Sequence, residues 1–138
     1  MNKNKNVLAL GDFEGYQYHP FTEVAAELQS ILQEVSFSLT ATQDRNELGN
    51  LSAYDLCLFY VDAWGQFLSG EQLESIIRFI SSGNGFLAVH GGISYENPLY
   101  ANLVGAKFIG HPPYQNLFYR IKKTNHPVTS DLSDFQMQ

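Results

Sequence analysis

Short apolar runs alternate along the chain with segments in which apolar residues recur at helical spacing. Residues 7–10 form the first apolar run, and Gly11 ends it. Apolar side chains then recur every three or four residues over residues 21–32, which predicts an amphipathic helix. Residues 36–40 alternate between polar and apolar and predict a strand.

The second half of the chain continues this alternation. Residues 55–61 and 85–89 are almost continuously apolar, which is typical of strands covered on both faces. Between them, Ser69 and Gln72 have capping-box spacing and predict a helix start, and Gly83 predicts its end. A short helix and two strands are predicted further on, over residues 97–103, 107–109 and 117–121. This order predicts an α/β fold, a sandwich around a mostly parallel sheet.

Composition and charge narrow the possible classes of protein. The 138 residues suit one domain, and 44% hydrophobic residues can supply a core. The formal net charge of −6 argues against general binding to nucleic acid or an anionic membrane. The single cysteine, Cys57, excludes an intramolecular disulfide. No apolar run approaches the ~20 residues of a membrane span, and the polar start lacks a signal-peptide core, so we expect a soluble cytoplasmic protein.

Histidines mark the ends of the predicted strands. Open parallel sheets bind ligands beyond the carboxyl ends of their strands. All four histidines of the chain follow predicted strands: His19, His90, His111 and His126. His90 is the strongest candidate, because it follows an apolar strand and precedes two glycines whose backbone N–H groups could face a ligand. His126 fits a simple turn after a basic strand.

Other candidate site residues occupy the same predicted loops. Glu14 and Asp62 are the best-placed carboxylates, and Trp64, with Tyr60, could form an aromatic wall against a sugar. Gly91 and Gly92 complete the turn after His90, and His126 remains a candidate for substrate binding. Cys57 lies within an apolar strand and is predicted to be buried and unreactive.

Four segments resemble the ThuA-like (trehalose-utilisation) family. They are residues 7–11 (VLALG), 83–92 (GNGFLAVHGG), 100–112 (YANLVGAKFIGHP) and 125–132 (NHPVTSDL). The resemblance implies a flavodoxin-like three-layer sandwich of the class I glutamine amidotransferase-like type. In amidotransferases, the turn after the corresponding strand carries a nucleophilic cysteine. His90 holds that place here, so the resemblance implies the fold without amidotransferase chemistry.

The chain also departs from the family pattern. His19 precedes Pro20, where family members often have His-Asp. Family domains usually run further and carry an Asp-Glu-x-Tyr motif after the His-Pro-Val-Thr segment. We therefore expect a single ThuA-like domain over residues 1–138 that lacks the C-terminal part of the family domain.

The favoured functional hypothesis is a cytoplasmic enzyme of carbohydrate metabolism. The resemblance suggests trehalose or a keto-sugar as substrate. The reaction would be an isomerisation or a hydrolysis, and the sequence does not choose between them. His90 would be the general acid or base, and His19 and His111 would act as further acid/base or orienting groups. Glu14 and Asp62 would bind hydroxyl groups, while Trp64 would stack on the ring.

Three alternatives stay open at this point. His19, His90 and His111 could instead bind Zn²⁺ with an open water position, as in a metal-dependent hydrolase. The same side chains could bind a sugar in a regulatory module without turning it over. The chain could also be a half-domain whose exposed sheet edge pairs with another chain, which would make it a homo-oligomer.

Overall fold

Four parallel strands form the sheet of the first of two units in the chain. In the computed structural model, which describes residues 4–14, 18–61 and 68–137, internal contacts divide the chain into Met1–Phe108 and Ile109–Gln138. The strands are β1 (Lys5–Leu10), β2 (Phe37–Thr42), β3 (Leu56–Phe59) and β4 (Gly85–Ala88). They are ordered β2-β1-β3-β4, and every neighbouring pair is parallel.

Three α-helices connect or follow these strands. They are α1 (Phe21–Glu34), α2 (Gly70–Ser81) and α3 (Pro98–Val104). The capping box before α2 is confirmed: the Gln72 N–H donates to Ser69 Oγ, and the Ser69 N–H donates to Gln72 Oε1. The side chain of Asn97 caps α3, and Gly105 ends it with φ 70°. The described residues of this unit also contain two 3₁₀ helices, Arg45–Ala53 and His90–Ile93.

The alternation of side chains along β1 and β3 separates two layers of core. Leu8, Leu10, Cys57 and Phe59 pack with α2 and α3 on one face of the sheet. Val7, Ala9 and Leu58 pack with α1 on the other face. Both strands are thus covered on both faces, which is why their sequences are almost continuously apolar. The predicted α/β sandwich with a parallel sheet is confirmed.

The second unit, Ile109–Gln138, contains a two-stranded antiparallel sheet. Its strands are β5 (Leu117–Tyr119) and β6 (Phe135–Met137). The rings of Tyr119 and Phe135 stack across the pair, with centroids 4.8 Å apart. Most of this unit's described residues are exposed.

Two predictions about elements need correction. Residues 107–109 do not form a strand: the chain leaves α3 at Gly105, and the N–H of Phe108 bonds to the Ile93 carbonyl rather than to a strand ladder. The sequence pattern also missed the 3₁₀ helix Arg45–Ala53 and strand β6. Both have weak apolar periodicity. None of the helices among the described residues has the length and apolarity that a membrane span requires.

Candidate functional site

The carboxyl ends of β1, β3 and β4 lie along one edge of the parallel sheet. In the order β2-β1-β3-β4, β2 lies on one side of β1 and β3 lies on the other side. The direction in which the chain adds strands therefore reverses at β1. Ligands bind beside such a reversal of strand order. The loop after β1 carries His19, and the turn after β4 carries His90.

His90 occupies an unusual backbone conformation directly after β4. Its φ is 48°, in the left-handed region that residues with a side chain rarely adopt. The 3₁₀ helix His90–Ile93 begins at this residue. Such a conformation persists only where the surrounding structure holds it, and it occurs often at functional sites.

Two neighbours hold this turn in place. The Tyr100 hydroxyl, which is fully buried, donates to the Gly92 carbonyl oxygen at 2.7 Å. Gly92 packs so closely that a Cβ atom there would overlap the carbonyl oxygen of Phe59 at the end of β3. Its own N–H donates to the Val89 carbonyl. Gly92 therefore serves close packing of the turn, and its N–H does not face a ligand as the sequence suggested.

The turn brings His90 against His19. Their Nε2 atoms are 3.2 Å apart, and the ring centroids are 4.2 Å apart at an interplanar angle of 73°. This is hydrogen-bond distance, and a bond between the two nitrogens requires a proton on one Nε2 and a lone pair on the other. His90 is exposed and His19 is partly exposed. The pair can pass a proton between its rings and present it to a molecule in solvent.

Aromatic rings lie beside the histidine pair. The Tyr60 ring lies 6.0 Å from that of His90, and it stacks on Phe21 at 5.8 Å. Tyr18 lies 6.2 Å from the ring of His19. Tyr60 was predicted as part of an aromatic wall, and the structure places it beside His90.

A partly buried ion pair begins the loop that carries His19. Asp12 follows β1 and is 7% exposed, and Arg45 Nη2 donates to its Oδ1 at 2.9 Å. The Asp12 carbonyl also accepts the N–H of Phe21, the first residue of α1. Asp12 thereby ties the start of the loop to its end.

Comparisons with known proteins bear on the family and the fold of the chain. The family profile described as trehalose utilisation (ThuA) matches residues 6–138. The chain belongs to the ThuA family. A solved structure of a ThuA-like protein from Bacteroides uniformis is similar, with a TM-score of 0.71 at 17% identity. That alignment covers 96% of this chain and 57% of the other, so this ThuA chain spans little more than half of that protein's length. No curated protein matches the chain.

The remaining predicted site residues of the ThuA chain in the loops after β1, β3 and β4 are Glu14, Asp62, Trp64 and Gly91. Glu14 is exposed, and its N–H, with that of Phe13, donates to Gln43 Oε1, which fastens the loop to the end of β2. Asp62 and Trp64 lie outside the described residues. Gly91 is buried beside His90.

His111 and His126 belong to the second unit. His111 follows an irregular segment rather than the predicted strand, and its Nδ1 lies 2.8 Å from the Pro112 carbonyl oxygen. His126 Nδ1 accepts the Val128 N–H at 3.2 Å, inside a turn in which the N–H groups of Thr129 and Ser130 donate to the His126 carbonyl. Such bonds are those of a turn residue.

Zinc ligation by three histidines finds no support among residues 4–14, 18–61 and 68–137. No three His, Cys, Asp or Glu side chains of these segments come together as a metal site.

The structure places Cys57 inside β3, where burial raises the pKa of its thiol to about 12. A thiol that stays protonated in the core is a poor nucleophile.

Asp12 and Arg45 are not among the site residues that the sequence predicts. Asp12 is the first polar residue after β1, which is the position that the strand-end rule favours. That signal could have identified it ahead of Glu14. Arg45 had no such signal, because it lies in a polar 3₁₀ segment without apolar periodicity.

Proposed function

We propose that this ThuA chain acts on a small carbohydrate and that His19 and His90 are its acid/base pair. The observation that carries the proposal is the 3.2 Å separation of the two Nε2 atoms at the carboxyl edge of the sheet. Imidazole both accepts and donates protons near neutral pH, as proton transfer at a sugar hydroxyl or carbonyl group requires. The family description, trehalose utilisation, suggests trehalose or a keto-sugar derived from it.

The proposal gives the two rings different roles. His90 is the more exposed, and its strained turn points to a fixed orientation, so it exchanges the proton with the substrate. His19 holds the other end of the hydrogen bond, so it fixes the tautomer of His90 and takes up or returns the proton. Tyr60, stacked on Phe21, lies beside the His90 ring.

The experiment compares wild type with His90→Gln and His19→Gln. Trehalose, glucose and their keto derivatives are offered as probes, with turnover followed by NMR and binding by calorimetry. We expect wild type to convert a probe and each variant to lose about 100-fold or more in turnover, because general acid/base groups contribute about that much. Binding should change far less.

A matched control separates these effects from general damage. Glu74→Gln removes a charge from an exposed ion pair with Arg78, and such pairs contribute little to stability. It should leave both turnover and binding unchanged. Undiminished turnover in a folded His90→Gln variant would remove His90 from the mechanism. Binding by wild type without turnover would favour the sugar-binding module.

A metal-dependent variant of this site is the second candidate. Two nitrogen ligands of a tetrahedral zinc ion are about 3.3 Å apart, which is close to the 3.2 Å between these two atoms. Elemental mass spectrometry of untagged protein tests this directly. About one zinc per chain, lost in His90→Gln, would favour metal-assisted chemistry over direct proton transfer.

A further inference from the structure

Three hydrogen bonds in series hold the turn that follows β4. The Val89 N–H donates to the Phe59 carbonyl oxygen at 2.9 Å, and the Gly92 N–H donates to the Val89 carbonyl oxygen at 2.9 Å. The Gly92 carbonyl oxygen accepts the Tyr100 hydroxyl at 2.7 Å. The first two bonds join backbone groups, whereas the third comes from a side chain. Of these three bonds, the third is therefore the one that a substitution can remove while the backbone groups stay unchanged.

The Tyr100 hydroxyl lies in a wholly aromatic part of the core. The side chain is fully buried, and its ring centroid is 5.2 Å from that of Tyr95 and 5.8 Å from that of Phe59. The Phe86 ring meets it edge-on at 6.2 Å. A hydroxyl group in such surroundings costs free energy unless it is hydrogen-bonded, and a phenylalanine would fill the same space without that cost. The bond to Gly92 offsets the cost and ties the turn to α3.

The backbone of Tyr100 is itself fixed at the start of α3. Asn97 Oδ1 accepts the N–H of Leu99 at 2.9 Å and that of Tyr100 at 3.2 Å, so Tyr100 belongs to the capped first turn of this helix. The ring is then held by its aromatic neighbours. A hydroxyl fixed from both directions can resist movement of the carbonyl group that it binds.

His90 stands at the other end of the same short turn. A φ of 48° is unfavourable for a residue with a Cβ atom and persists only where neighbouring contacts hold it. His90 and Gly92 belong to one 3₁₀ helix of four residues, so movement of the Gly92 carbonyl would let His90 relax to more favourable backbone angles. The His90 ring would then leave its place 3.2 Å from Nε2 of His19.

We propose that Tyr100 is a positioning residue, which holds the His90 ring against His19 through the Gly92 carbonyl. The consequence for turnover rests on the proposed acid/base function of the pair, whereas the positioning itself can be observed without a substrate. Such positioning matters because displacement of a catalytic group by about 1 Å can cost about 100-fold in rate.

Tyr100→Phe removes the hydroxyl and keeps the ring. Long-range ¹H–¹⁵N spectra of the full chain should then show changed ring-nitrogen signals for both His90 and His19. With a probe that wild type converts, we expect kcat to fall about 10-fold or more and KM to change less than about twofold, because the groups that contact substrate remain.

Tyr54→Phe is the matched control. It removes the hydroxyl of a second tyrosine that packs against the same core cluster, at the amino end of β3, where the hydroxyl lies 3.5 Å from Glu47 Oε2. The ring-nitrogen spectra and kcat should stay as in wild type. An equal change in Tyr54→Phe and Tyr100→Phe would overturn the proposal, since the effect would then belong to the core in general.

Asn97→Ala supplies a second test that leaves the aromatic core intact. It removes the cap that fixes the first turn of α3, and it should shift the His90 and His19 signals in the same direction as Tyr100→Phe, by a smaller amount. Wild-type ring-nitrogen spectra in a folded Tyr100→Phe variant would overturn the proposal. If Tyr100→Phe does not fold, wild-type spectra in Asn97→Ala would do so. Wild type that converts no probe would count against the proposed function, while the spectra still decide the positioning.

Discussion

At the scale of single residues, the site depends on a turn that tolerates little change. His90 has φ 48°, and the turn closes only because Gly92 approaches the Phe59 carbonyl within the space that a Cβ atom would need. The Tyr100 hydroxyl then bonds to the Gly92 carbonyl inside the core. Burial, with the neighbouring Cys57 as a smaller contribution, raises the pKa of Tyr100, so the hydroxyl remains a hydrogen-bond donor.

Gly92→Ala should therefore damage the fold as well as the site. The new methyl group would push against backbone rather than against a movable side chain, and we expect at least about 2 kcal/mol less free energy of unfolding in urea. Gly49→Ala is the matched control, because its Cβ meets no atom within 4 Å; there we expect no loss, or a gain of up to about 1 kcal/mol. Equal stability of the two variants would contradict the close packing at Gly92.

At the scale of elements, the apolar pattern predicted most of the sheet and its helices. Strands β1 and β3 are covered on both faces, so their sequences are continuously apolar, and the capping box fixes the start of α2. The 3₁₀ helix Arg45–Ala53 had no comparable signal, because only Leu48 and Leu51 of its nine residues are buried. The expected strand at 107–109 failed because a strand needs a neighbour to pair with, which apolar residues alone do not supply.

The burial of β3 has a consequence for pH. Cys57 has a folded-state pKa of about 12 against 9.0 when exposed, so the folded protein retains a proton that the unfolded chain releases in this range. Its contribution to stability is present below pH 9 and is lost as the pH rises toward 12. We expect the free energy of unfolding to decline over that window less steeply in Cys57→Ala than in wild type.

The burial of Cys57 also predicts how fast the thiol reacts. The folded wild type should resist thiol reagents at pH 8, while the urea-unfolded protein should react. Fast labelling of the folded protein would contradict this.

At the scale of the whole molecule, the site could be predicted only in part. The strand-end rule predicts from the sequence alone that His19 and His90 lie at the same edge of the sheet. Their contact joins residues 71 positions apart and depends on the strained turn at His90, which no local pattern encodes. The ion pair of Asp12 with Arg45 depends likewise on tertiary packing. The division into two units, with His111 and His126 in the second, has no marker in composition.

The central claim is that His19 and His90 form one hydrogen-bonded unit, and ring-nitrogen NMR tests it without a substrate. Long-range ¹H–¹⁵N spectra of the metal-free protein, recorded where both rings are neutral, report which nitrogen of each histidine carries the proton. We predict one protonated and one bare Nε2, and a change in the His19 signals in His90→Gln. Two protonated Nε2 atoms, or a His19 spectrum indifferent to the loss of His90, would contradict the account.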